Sequence, residues 1–255
     1  MKTIGFIGAG RVARIMLEGW KKAGALPEAV VIHDTAADRA ARLTEISPGL
    51  KAGSLVEAAA ADLVIVGLHP PLLAEVLPAI KAHLKPQAVV LSLAPKVKFS
   101  GLAGLLGGFS RLARQNPNAP SIVGEGYNPI AFAAGLPEAE RQALLELMAP
   151  LGQCPVVEEE TIEAYALISA MGPTYLWFQL HELERLAMEF GLTKAAARAA
   201  ITAMVGGAVS TLFGSGLVAG DVMDLVPVKP LAAEEPVFLA AYRDRLIPLF
   251  QKLTA

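Results

Sequence analysis

Three small residues close to the N-terminus are spaced for nucleotide chemistry. The run GFIGAGRVA places Gly8, Gly10 and Ala13 in a Gly-x-Gly-x-x-Ala pattern. The first glycine permits a tight turn, the second lets backbone approach a pyrophosphate, and a small third residue lets a helix pack closely on a strand. A helix starting there would turn its free N–H groups and positive dipole end towards phosphate. Farther on, the strand-like AVVIHD ends at Asp34. A carboxylate at that point can accept hydrogen bonds from both hydroxyls of an adenosine ribose, and it repels a 2′-phosphate. This favours NAD over NADP, while Arg11 and Arg39 are near enough in sequence to support NADP instead.

A nucleotide turn needs a parallel sheet to carry it, and the first half of the chain reads as one. KTIGFIG, AVVIHD, DLVIVGLH and QAVVLSL are short apolar runs of strand type. They alternate with helical patterns, RVARIMLEGWKKAG and LLAEVLPAIKAHL among them. Continuous apolar strands separated by helices predict a sheet covered on both faces. From Thr161 onward nearly everything reads as helix. Gly172-Pro173 should start or kink one helix, and Thr193 is a plausible N-cap for the next. The predicted fold is α/β: a Rossmann-type doubly wound parallel sheet over residues 1–160, then an all-α domain over 161–255.

Composition narrows the partners. Of 255 residues, 54% are apolar, and the mean hydropathy is +0.48, which predicts large buried surfaces and a subunit interface. The formal net charge of −2 comes with no basic block, so nucleic acid is not an expected partner. Cys154 is the single cysteine, which excludes an intrachain disulfide and predicts an inert core thiol. His33, His69, His83 and His181 fall in no zinc-type spacing, so no metal is expected. Arg11 and Arg14 break the apolar run that a signal peptide would need, and a cytoplasmic protein is expected. The stretch from Ala199 to Gly220 is uncharged and long enough to span a bilayer. Its glycines, serines and threonines favour a buried, closely packed helix instead.

The order of these motifs resembles the pyrroline-5-carboxylate reductase family. GFIGAGRVARIMLEGW is similar to that family's opening. VGLHPPLLAEVL resembles its Ala-Val-Lys-Pro-Gln segment, with His69 in the lysine's place, and LSLAPKV resembles Ser-Ile-Ala-Ala-Gly-Val. RQNPNAPSIVGEG, from Arg114 to Gly126, is similar to Arg-x-Met-Pro-Asn-Thr-Pro-x-x-Val-Gly-Glu-Gly. SAMGPTY aligns with Ser-Gly-Ser-Gly-Pro-Ala-Tyr. The resemblance implies an NAD(P)H-dependent reductase of the C=N bond in a small cyclic imino acid, and a homodimer joined through the helical domain.

The resemblance also implies site residues. Cofactor contacts fall to Gly8, Ala9, Gly10, Arg11 and Val12, to Asp34 and Thr35, to Leu68, His69 and Pro70, to Ala94, and to Asn118 beside the nicotinamide. Ser169 and Tyr175 keep the family's identities in the substrate pocket. The family's Pro-Gly-Gly-Thr-Thr loop is replaced by Pro227-Val228-Lys229-Pro230-Leu231. Lys229 is the candidate partner for a substrate carboxylate, and His181 the candidate proton donor to a developing amine. The altered loop keeps two alternatives open. One is a related dehydrogenase or imine reductase with another substrate. The other is an NAD(P)-binding sensor whose catalysis has lapsed.

Overall fold

A computed structural model describes residues 2–254. Two compact units divide the chain: one runs to Met171 and takes in the last residues from Phe250, and the other is Gly172–Leu249. The expected boundary at 160/161 falls inside the first unit.

The first unit is built on a seven-stranded sheet. Its strands are β1 (Thr3–Ile7), β2 (Ala29–His33), β3 (Leu50–Ala52), β4 (Leu63–Val66), β5 (Val89–Ser92), β6 (Leu112–Gln115) and β8 (Ile130–Phe132), in the order β3-β2-β1-β4-β5-β6-β8. All neighbours are parallel except β8, which runs antiparallel to β6. Between β6 and β8 lies β7 (Gly126–Tyr127), which pairs with β9 (Gly152–Gln153) in a separate two-stranded ribbon.

Helices α1 (Arg11–Lys22), α2 (Ala37–Thr44), α3 (Leu55–Ala59), α4 (Pro70–Ile80) and α5 (Phe99–Leu105) connect the parallel strands, and α6 (Glu138–Met148) follows β8. The chain order reverses between β1 and β4. In an open α/β sheet that reversal opens a crevice at the carboxyl ends of the strands.

Two apolar layers explain why β4 and β5 are so rich in apolar residues. Ile4, Phe6, Met16, Leu17, Trp20 and Leu63 pack on one face of the sheet. Val64, Val66, Leu73, Leu77, Ile80, Val90 and Leu102 pack on the other. Side chains alternate faces along a strand, so a strand covered twice leaves little room for a polar group. Met16 and Leu17 are fully buried, each contributing about 2–3 kcal/mol. The Trp20 indole donates to the Leu147 carbonyl at 2.8 Å, so its one polar atom is paired inside the core.

Several elements carry no clear signal in the sequence. β3 is three residues long, and α3 starts at a capping box between Ser54 and Glu57. β6 reads LARQ, yet all four residues are buried. Its arginine and glutamine disguise an interior strand, because their partners come from distant parts of the chain.

The pattern starting at Thr161 breaks as its proline requires. A short helix α7 (Ile162–Tyr165) runs into a π-turn (Ala166–Ala170), where the Met171 N–H reaches the Ala166 carbonyl. Pro173 then opens α8 (Pro173–Glu189), in the first turn, where a missing N–H costs no intrahelical bond.

The second unit holds α8, α9 (Lys194–Gly214), α10 (Ala219–Asp224) and most of α11 (Glu235–Thr254). Thr193 caps α9, accepting the Ala196 N–H at 3.2 Å as expected. The expectation of a buried α9 is corrected. Among the described residues of this unit only Ala197 is buried. α9 is long and apolar enough to cross a membrane by length and composition alone. Trp177, Phe178, Phe190 and Phe213 are all more than half exposed.

Candidate cofactor site

The glycine turn leaves β1 and enters α1 with the geometry its spacing implies. Gly8 has φ +106°, a conformation that disfavours any side chain, and a Cβ there would sit 2.7 Å from the Gly67 carbonyl oxygen. Its N–H donates to the His33 carbonyl at 2.8 Å, which locks the turn to the end of β2. A Cβ on Gly10 would meet nothing within 4 Å, so the backbone here is open to a ligand. Gly10 is the N-cap of α1 and supplies no side-chain cap. The first amides of α1 therefore face outward without a capping group, the arrangement that receives a pyrophosphate. Ala13 is buried beneath them.

Asp34 stands beside this turn. Its Oδ2 accepts the Ala9 N–H at 2.8 Å, and its Oδ1 accepts the Ala36 N–H at 2.9 Å. The carboxylate thus braces the glycine turn against the β2–α2 turn. Each oxygen keeps a second lone pair that can accept a ribose hydroxyl. Thr35 is exposed next to it.

A cleft of about 1050 Å³ opens over the turn, lined by Gly8 to Arg14, by Glu18 and Lys21 of α1, by residues of α2 and its C-terminal end between Arg39 and Ile46, and by Gly67 and His69. Cations dominate its walls. Arg42 is bridged to Asp38 at 2.6 Å, and Arg14 lies 3.9 Å from Glu18. Arg11 and Arg39 have no carboxylate partner among the described residues. The lining suits a ligand that carries several negative charges.

The other expected cofactor residues lie at the carboxyl ends of β4, β5 and β6. His69 is the N-cap of α4, with Pro70 starting the helix and Leu68 half-buried before it. Ala94 is 4% exposed, and its N–H donates to the Ser92 hydroxyl at 3.3 Å. Asn118 is 6% exposed, and the protein already uses its side chain. Its Oδ1 accepts the Tyr127 N–H at 3.1 Å, and its Nδ2 donates to the Ser169 carbonyl at 3.2 Å. Asn118 therefore holds β7 and the π-turn in place, which leaves one amide hydrogen and one Oδ1 lone pair for any further partner.

The expected substrate residues fall in both units. The Ser169 hydroxyl donates to the Tyr165 carbonyl at 2.9 Å in the first unit. The other three belong to the second unit. The Tyr175 ring meets Tyr242 edge-on, with centroids 5.8 Å apart. Burial first, and Tyr242 second, raise the Tyr175 hydroxyl above its usual pKa, so it stays protonated. His181 is 3.7 Å from Glu184, with most of its side chain exposed. The Lys229 ammonium is 3.9 Å from Asp224 on the altered loop.

The sequence alone does not reveal a buried polar belt behind the RQNPNAP segment. The Arg114 side chain, 1% exposed, reaches Glu163 at 2.5 Å and Glu159 at 3.1 Å. Asn116 donates to the Ile162 carbonyl. Asn128 accepts from the Asn118 N–H and the Ser121 hydroxyl. The signal that could reveal it is a set of polar residues inside an interior strand, which demand partners. Cys154 packs against the core as expected, and burial pushes its thiol up to about 11.

Comparison with known proteins agrees with this architecture. Residues 3–96 match the family described as NADP oxidoreductase, coenzyme F420-dependent, which covers the nucleotide turn and β1 to β5. Pyrroline-5-carboxylate reductase 2 of Bacillus subtilis is 26% identical over 221 residues, 85% of this chain and 78% of that one. The Pisum sativum pyrroline-5-carboxylate reductase is 25% identical over 224 residues, 87% of this chain and 81% of the other. In fold, the chain is similar to 1-pyrroline-5-carboxylate reductase from Streptococcus pyogenes, with a TM-score of 0.78 at 22% identity, over 99% of this chain and 98% of that one. It is also similar to the NADP-bound Plasmodium falciparum pyrroline carboxylate reductase, with a TM-score of 0.75 at 17% identity, over 99% and 94% of the two chains. In sequence and in fold, the chain is thus similar to pyrroline-5-carboxylate reductases over most of its length.

Proposed function

We propose that the protein is an NAD(P)H-dependent oxidoreductase that reduces the C=N bond of a small cyclic imino acid, of the kind used in proline biosynthesis. The observation that carries this reading is the glycine turn at the strand-order reversal, with open α1 amides and a cation-lined cleft beside it. These residues fit a dinucleotide: Gly8 makes the tight turn, Gly10 leaves the backbone open to a pyrophosphate, and Asp34 has lone pairs to spare for a ribose.

When bound, the cofactor supplies hydride to the imine carbon. The C=N π electrons move to nitrogen, which takes up one proton. An iminium carbon is already electrophilic, so the protein's main task is to orient the reacting atoms about 3–3.5 Å apart. In this reading Lys229 pairs with the substrate carboxylate, His181 supplies the proton, and Ser169 and Tyr175 wall the pocket.

On the choice of cofactor, Asp34 favours NADH because a 2′-phosphate would meet its negative charge. Arg11 and Arg39, both without a carboxylate partner among the described residues, support NADPH as the second reading.

The uncovered helices support a homodimer through the second unit. Apolar faces of this extent are otherwise exposed to water. A cytoplasmic location belongs to the same reading.

Val228 and Leu231 are 74% and 66% exposed on the loop that replaces Pro-Gly-Gly-Thr-Thr. That loop motivates a second reading, in which the same scaffold reduces a different imine. The deciding experiment is the absorbance decay of NADH, and separately NADPH, with purified protein and pyrroline-5-carboxylate. Rapid decay supports the first reading. Dinucleotide binding without decay, followed by turnover of another imine, supports the second. Binding with no turnover of any imine leaves a sensor.

A further inference from the structure

One buried charge cluster ties strand β6 to the Glu159–Glu163 segment and to the loop after β5. Lys96 has φ +73° and is the one non-glycine among the described residues in the left-handed region, where a side chain is disfavoured. It lies in the loop Ala94–Lys98 between β5 and α5. Its N–H donates to Glu163 Oε1 at 3.1 Å. At the far end of the loop, the Phe99 N–H donates to Glu159 Oε1 at 2.6 Å. Arg114 of β6 lies between the two acids and bonds both of the same oxygens, Glu163 at 2.5 Å and Glu159 at 3.1 Å. Arg114 is 1% exposed and the Glu163 side chain 4%. Burying such charges is unfavourable unless geometry and pairing compensate. A loop that merely joined β5 to α5 would be simpler with glycine at position 96.

Strand order shows what the loop faces. Asp34 and the glycine turn mark the adenosine side of the crevice, over β1 and β2. β4, β5 and β6 lie across the reversal, so the loop after β5 stands at the nicotinamide half of a dinucleotide bound across it.

We infer that Arg114, Glu159 and Glu163 are positioning residues that hold the Ala94–Lys98 loop in the shape that receives the nicotinamide half of the cofactor. They act through the loop and do not touch the ligand. The inference rests on the dinucleotide reading above.

The test compares ligands that share the adenosine half. Binding of ADP-ribose (and of its 2′-phosphate) is measured by calorimetry beside NADH and NADPH, for the wild type and for Glu163→Gln, which keeps the side-chain volume. Expected in the variant are ADP-ribose affinity within about twofold of wild type and dinucleotide affinity about tenfold weaker. Adding Lys96→Gly to Glu163→Gln should restore part of the loss, because glycine adopts φ +73° without a carboxylate to hold it. A purely structural role would not produce the split between ligands. If Glu163→Gln does not fold, Glu159→Gln carries the same comparison, since its side chain is 17% exposed. A parallel loss for all ligands, or no loss in a folded variant, overturns the proposal. A wild type that binds no dinucleotide overturns the functional reading itself, and this proposal with it.

Discussion

The Asp34 carboxylate accepts the Ala9 N–H at 2.8 Å, so the acid that would read the ribose also braces the turn that would receive the phosphates. The two roles make Asp34→Ala costly twice over. Ala9 and Ala36 lose their acceptor, and the ribose loses its partner. NADH affinity is expected to fall about ten- to a hundredfold, and NADPH affinity less, since its phosphate no longer meets a negative charge. Fluorescence titration with both cofactors checks this. Equal losses for the two would show that Asp34 braces the turn without reading the ribose.

Gly8→Ala should be the most damaging single change at the turn. Alanine at φ +106° is strained by about 1–3 kcal/mol, and its Cβ would also press on the Gly67 carbonyl. Thermal unfolding should shift down, and dinucleotide affinity should drop more than about tenfold, because the turn must open to relieve the contact. A variant with wild-type Tm and wild-type affinity would contradict the turn geometry.

Acid stability should depend on Asp62. Its carboxylate bonds Lys85 at 2.6 Å and accepts the N–H groups of Lys2 and Thr3. The Lys85 hydrogen bond, followed by those N–H groups, outweighs the burial that would raise its pKa, and holds it at about 2 against an ordinary 3.8. A folded-state pKa lowered in this way stabilises the native state above about pH 4. The contribution is lost as pH falls towards 2. With solvent screening it is on the order of 1 kcal/mol. Asp62→Asn should therefore lower urea stability at pH 7 by about that amount and narrow the gap to wild type near pH 2. A gap that stays constant across this range would show that the pair contributes no linkage.

The helices of the second unit should be covered by another copy of the chain. Phe213 on α9 is 82% exposed. Analytical ultracentrifugation of the full chain is expected to give twice the monomer mass, with a Tm that rises with protein concentration. Phe213→Glu should weaken the dimer and abolish imine reduction while the first unit still binds dinucleotide. A monomeric, active wild type would rule out this arrangement.

Cys154 should be inert. Burial holds its thiol at about 11, so almost no thiolate exists at neutral pH. Iodoacetamide at pH 7 is expected to label it only after denaturation, as read by mass spectrometry. Rapid labelling of the native protein would mean the ribbon around Gln153 opens readily.

The nucleotide turn is legible in the amino-acid sequence because its chemistry is local. Gly8, Gly10 and Ala13 act through backbone reach and helix packing within a few residues of one another. The same holds for β4 and β5, whose apolar runs announce burial on both faces, and for the Thr193 cap, which bonds an amide three residues away. β6 is hidden because its arginine and glutamine look like surface residues. Their partners lie far along the chain, 49 positions in the case of Arg114 and Glu163.

The amino-acid sequence by itself determined the parallel sheet, the glycine turn and the helical second half, since periodicity and backbone freedom are properties of neighbouring residues. Tertiary structure alone decided the rest. It committed the side chain of Asn118 to Tyr127 and Ser169, placed a buried carboxylate under Lys96, and left α9 uncovered where its composition suggested a core. Each of these depends on what folding brings alongside a residue, because a buried polar group or an apolar face is stabilised only by the partner it meets in space.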